Sequence, residues 1–91
     1  MIGFAFEQLK VIDSMQVLTP GKYDGAEEAF ISVEAGDIRA TYDGTTPSAT
    51  IGHLIKENSQ FRLVGMNQIV QFKCFQAGSI GSVISVTYEK G

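Results

Sequence analysis

Apolar side chains recur at every second position along most of the chain. That spacing suits strands with one buried face, and it excludes long amphipathic helices. Phe4 and Phe6 share one side of a first strand, with Ala5 and Glu7 on the other. Ala29, Ile31 and Val33 alternate with Phe30, Ser32 and Glu34, and Ile38, Ala40 and Tyr42 alternate with Arg39 and Thr41. Phe61 and Leu63 alternate with Gln60 and Arg62, and Val70, Phe72 and Cys74 alternate with Gln71, Lys73 and Phe75. A last run sets Ile84, Val86 and Tyr88 against Val83, Ser85 and Thr87.

Turn chemistry separates these runs: Pro20-Gly21, Ala35-Gly36-Asp37, Asp43-Gly44, Gly52, Glu57-Asn58-Ser59, Gly65 and Gly78 to Gly81. Ala26–Phe30 and Ile51–Lys56 each have room for one short helical turn. Gly78–Gly81 reads as a hairpin connection, because a strand follows it where a phosphate cradle would need a helix. Short strands at such intervals predict an all-β fold, a small antiparallel β-sandwich (Ig-like or jelly-roll-like) of about six to eight strands. The chain of 91 residues is expected to form one domain, residues 1–91, with a folded surface of about 5,200 Å².

Composition narrows the function. A hydrophobic content of 44% with 19% charged residues excludes a disordered chain. The net charge of −3 supplies no electrostatic footprint for phosphate backbones, so no nucleic-acid partner is expected. No stretch approaches a membrane span, and the start of the chain lacks the basic and apolar regions of a signal peptide, so no membrane association is expected either. The chain is expected to be made and folded in a cytoplasm.

Few residues invite chemistry. Cys74, the single cysteine, falls in phase with Val70 and Phe72 and reads as a core residue. His53, the single histidine, has no nucleophile or orienting acid in a recognisable local pattern, and reads as a turn residue. Asp43-Gly44-Thr45-Thr46 offers too few carboxylates for a calcium loop, and Asp43 is expected to open a turn by accepting from backbone N–H groups ahead of it. Neither an enzymatic activity, a metal nor a cofactor is expected. Phe30, Ile69, Phe75 and Val83 are apolar residues on presumed outer faces, and such residues gathered on one face mark a subunit interface. The stretch Thr19–Glu28, with Tyr23 at its centre, is the longest without clear periodicity. Tyr23, Phe30 and Phe75 are therefore the candidate partner contacts. Tyr42 and Tyr88 fall in register with core residues.

The segment Glu34–Leu54 carries an Ile38-Arg39 strand, an Asp43-Gly44-Thr45-Thr46-Pro47-Ser48 turn and a Gly52-His53-Leu54 ending. It resembles small β-sandwich proteins of tailed bacteriophages and prophages, which carry an Asp-Gly-Thr-x-Pro-Thr turn followed by Gly-His-x-Leu. The resemblance extends loosely over residues 15–88; Ser48 stands where that pattern more often has Thr. A similar turn occurs in sandwich domains attached to chitinase-like and hexosaminidase-like enzymes. In physical terms Arg39, Asp43, Gly44, Thr45, Pro47 and Gly52 make a structural corner: Gly44 can take positive φ, Pro47 fixes its own φ, and Arg39 can bond the Asp43 carboxylate or the turn carbonyls. The resemblance implies a non-enzymatic virion component (head decoration or cement, connector or tail-associated) that assembles with itself and with other virion proteins. The alternative is a carbohydrate-binding or host-surface adhesion module.

Overall fold

The computed structural model describes residues 2–78 and 80–91. Among these, eight strands and one short helix follow one another as β1 (Ile2–Val11), β2 (Gln16–Val17), β3 (Glu28–Ala35), β4 (Ile38–Thr41), β5 (His53–Ile55), β6 (Gln60–Val64), α1 (Met66–Gln71), β7 (Lys73–Gln76) and β8 (Ser82–Lys90). They form a small all-β sandwich. One sheet has the order β1-β8-β3-β6 and the other β2-β7-β4-β5, with every pairing antiparallel. The accessible surface is 4912 Å².

The period-two pattern translates directly into the core. Ala29, Ile31 and Val33 of β3 face Ile84, Val86 and Tyr88 of β8 across the ladder, and all six are buried. The second sheet contributes Ile38 and Ala40 from β4 and Cys74 from β7. Burial pushes the Cys74 thiol up to about 12, so it is a small apolar filler at neutral pH.

In β1 the side that carries Phe6 is the outer one. Its inward residues are Ala5, Glu7, Leu9 and Val11, while Phe6 lies outside and Phe4 is exposed near the start of the strand. A register shift between Gly3 and Ala5 adds one unpaired residue to the ladder with β8. The inward Glu7 is only 7% exposed. Its carboxylate accepts hydrogen bonds from the Tyr88 hydroxyl, from Thr19 Oγ1 at 2.5 Å and from the Thr19 amide at 3.1 Å. These bonds pin β1, β8 and the segment after β2 to one another. Burial, together with the hydrogen bond from its hydroxyl to Glu7, raises the Tyr88 pKa well above its ordinary value.

Four local expectations change. Ala26–Phe30 is not helical: β3 begins at Glu28, where backbone pairing with β6 and β8 outweighs the propensity of Ala26-Glu27-Glu28-Ala29. Within Ile51–Lys56 the residues His53–Ile55 form β5, paired with β4. The run Val70–Gln76 is divided, since Met66–Gln71 is helical and the chain turns extended only at Phe72. The helix buries Ile69, expected on an outer face, and leaves Val70 out in solvent. Gly78–Gly81 leads from β7 in one sheet to β8 in the other, so it is a crossover between sheets and not a hairpin; Ser79 lies outside the described residues.

Helix α1 makes another crossover between the sheets, from β6 to β7. Gly65 precedes it at φ 88 and donates its N–H to the Glu27 carbonyl at 2.8 Å. Gln68 Oε1 accepts the Val64 amide at 2.8 Å, which satisfies a group that the end of β6 would leave unpaired.

Candidate functional site

The connection between β4 and β5 is heavily hydrogen-bonded. Thr41 Oγ1 donates to the Thr45 carbonyl at 2.5 Å, and the Thr45 amide donates to Asp43 Oδ1 at 3.0 Å. Gly44 holds φ 91, and its carbonyl accepts from Lys73 Nζ at 3.2 Å. Ser48 Oγ accepts the amides of Thr50 and Ile51 at 3.3 and 3.1 Å, and Pro47 is buried. The Thr45 backbone N–H, aided by its side chain, holds the Asp43 carboxyl below the ordinary carboxylate value. Arg39 meets a carbonyl rather than the Asp43 carboxylate: Nη1 donates to Gly52 O at 3.2 Å, while its Nε is buried without a partner. Gly52 has φ 118, and a Cβ there would stand 3.1 Å from the Ala40 amide nitrogen.

This corner carries Tyr42 and His53 on its inner rim. Their rings stack with centroids 6.0 Å apart and planes inclined by 21°. Tyr42, expected in the core, lies just past the end of β4 and is 47% exposed. Two cavities of about 420 Å³ each adjoin the pair. One opens between the sheets over Ile55, Phe61, Leu63 and Phe72, with Gln68 at its margin; the other lies over Thr41, Asp43, Thr45 and Ile51. Both fall within the size range of small-molecule sites.

The second surface is the outer face of the β1-β8-β3-β6 sheet. Ladder register sets Phe6, Thr87, Phe30 and Arg62 side by side across all four strands. Phe6 is 58% exposed. The Arg62 guanidinium lies over the Phe30 ring at 4.9 Å and pairs with Glu89 and, at 3.5 Å, with Glu28. Lys90 Nζ stands 5.1 Å from the Phe4 ring centroid.

The three candidate contact residues do not come together. Phe30 belongs to the face just described. Phe75 is on the outer side of the other sheet, where the ladder flanks Arg39 with Phe75 and Leu54. Tyr23 packs edge-on against Tyr88 with centroids 6.0 Å apart, and so closes an end of the core. The residue that extends the Phe30 surface is Phe6. Its position was readable from β1 as a whole: extending the alternation to Val11 puts Phe6 in phase with Gln8 and Lys10, and Ala5 in phase with Leu9 and Val11.

Among the described residues no three His, Cys, Asp or Glu side chains come together as a metal site, and no helix is long and apolar enough to cross a membrane. No family model, no curated protein and no solved structure matches the chain.

Proposed function

We propose that this chain is a non-enzymatic structural component of a phage or prophage particle, made in the bacterial host cytoplasm and incorporated into the virion by protein–protein assembly. The observation that carries the assembly reading is the outer face of the β1-β8-β3-β6 sheet, where Phe6 and Phe30 stand outside the core on a hydrogen-bonded platform. An aromatic centre bordered by Arg62, Glu28 and Glu89 has the apolar-core, polar-rim composition of protein interfaces. The particle itself rests on the resemblance of Glu34–Leu54 to small tailed-phage proteins, whose Asp-Gly-Thr-x-Pro turn is here the corner of the β4–β5 loop.

Mass spectrometry of gradient-purified particles from an induced source strain tests the proposal. The chain is expected in tens to hundreds of copies per particle. Its absence from particles, with the protein abundant in the lysate, would sink the reading.

A second reading, a carbohydrate-binding or host-surface adhesion module, draws support from the Tyr42–His53 pair between its two cavities, since exposed rings beside polar groups can stack on sugars. A glycan array without a hit counts against it.

A further inference from the structure

We infer that the outer face of the β1-β8-β3-β6 sheet packs against the same face of a second copy of this chain, about a twofold axis running parallel to the strands. This rests on the assembly reading above and names the partner of that surface.

The argument is one of self-complementarity. A twofold axis along the strands reverses each row of side chains end for end. The row Phe6, Thr87, Phe30, Arg62 then lies over Arg62, Phe30, Thr87, Phe6 of the second copy. Arg62 is prepared for that encounter. Its Cζ lies 4.9 Å over the Phe30 ring and its Nη1 is held by Glu28 and Glu89, yet its side chain is 46% exposed. The exposed side of the guanidinium can take the ring of the opposing Phe6, and a group already held by Phe30, Glu28 and Glu89 loses little freedom on binding. The next row, Gln8, Ser85, Ser32, Gln60, sets Gln8 over Gln60 of the second copy, an amide pair with both donors and acceptors. An axis perpendicular to the strands would instead oppose Arg62 to Arg62. Glu28 and Glu89 come opposite one another at the end of the two middle strands, where each is already paired with Arg62 of its own copy.

The size is adequate. Four strands at about 4.8 Å spacing and about eight residues at ~3.3 Å give a footprint of roughly 500 Å² per copy, or roughly 1,000 Å² for the pair. That reaches the lower bound of about 1,000 Å² for a specific interface.

The test is sedimentation equilibrium of the full chain from about 5 to about 500 µM, with wild type, Phe6→Lys and Phe6→Glu compared. Phe6 points away from the core, and circular dichroism melts verify that both variants fold. Wild type is expected to dimerise. Phe6→Lys, which opposes Arg62 with a like charge, should weaken the dimer at least about tenfold, whereas Phe6→Glu, which gives Arg62 a carboxylate, should hold it within about threefold. A wild type that stays monomeric throughout, or equal loss in both variants, overturns the inference. Monomers in solution from a chain that is nevertheless found in particles would overturn self-pairing and leave the assembly reading standing. A dimer with this charge dependence, from a chain absent from particles, would support the pairing and overturn the virion.

Discussion

Removing the buried carboxylate of Glu7 is the sharpest probe of what holds this sandwich together. Glu7→Ala deletes the acceptor of three hydrogen bonds, from the Tyr88 hydroxyl, the Thr19 hydroxyl and the Thr19 amide. Thr19 is partly exposed and can turn to water, but Tyr88 is 0% exposed and its hydroxyl would be stranded. An unsatisfied buried hydroxyl costs about 1–3 kcal/mol, and the lost charge-assisted bonds add to this, so the variant should lose about 3–4 kcal/mol. Tyr88→Phe keeps the ring and its contact with Tyr23 but removes one donor to a charged acceptor, for about 2 kcal/mol. A domain of 91 residues has a total stability of about 5–14 kcal/mol, so either change moves the urea midpoint visibly. The assay is urea unfolding at pH 7 followed by far-ultraviolet circular dichroism, for wild type, both single variants and the double variant. Because Tyr88→Phe removes the hydroxyl and leaves nothing to strand, the double variant should be destabilised by about 1.5 kcal/mol less than the sum of the singles. A coupling below about 0.5 kcal/mol would refute the reasoning, since it would mean that Tyr88 and Glu7 do not depend on one another.

Four further outcomes are expected. Gly52→Ala forces a side chain into φ 118 and to within 3.1 Å of the Ala40 backbone, so it should destabilise by about 2–3 kcal/mol in thermal melts. Gly44→Ala, at φ 91 with open space around it, should cost only about 1 kcal/mol. Asp37 and Asp43 are both held below the ordinary value of 3.8, Asp37 first by the Glu57 amide and Asp43 first by the Thr45 amide. Their folded pKa values are depressed, so their contribution is present above 3.8 and is lost as pH falls through the lower folded values. Acid titrations of stability should therefore have a shallower limb below pH 3.8 in an Asp37→Asn, Asp43→Asn variant. Cys74, buried and with its thiol pushed up to about 12, should resist a thiol reagent at pH 8 in the native protein and react at once in urea, and rapid native labelling would contradict its burial.

The strands of the core were legible because burial on one face writes period two into the residues themselves, as in Ala29-Phe30-Ile31-Ser32-Val33 and Ile84 to Tyr88. The reading failed where two signals of similar strength competed. In β1 the pair Phe4 and Phe6 masks the longer set Ala5, Leu9 and Val11, and Glu7 resembles a solvent residue because its hydrogen-bond partners, Thr19 and Tyr88, are 12 and 81 positions away. Around Val70 the β-branched Ile69-Val70 hid a helix marked only by Gly65 and by the spacing of Met66 and Ile69. The corner at Asp43 was readable because its hydrogen bonds are local. Neither the stacking of Tyr42 on His53 nor the row from Phe6 to Arg62 has any local trace, since both depend on strands brought together by the topology.

The order of strands in the β1-β8-β3-β6 sheet also sets a timetable for synthesis. Strand β8 lies between β1 and β3 and is the last of the eight to leave the ribosome. Until it does, β1 has no neighbour, β3 can zip only to β6, and the Glu7 carboxylate has no Tyr88 to receive. For most of translation the chain therefore presents two open strand edges and half a core. The sheet closes as a late, long-range event and not by growing from its first residues. A translational pause placed just before Ser82 would prolong the most aggregation-prone stage in the life of this chain.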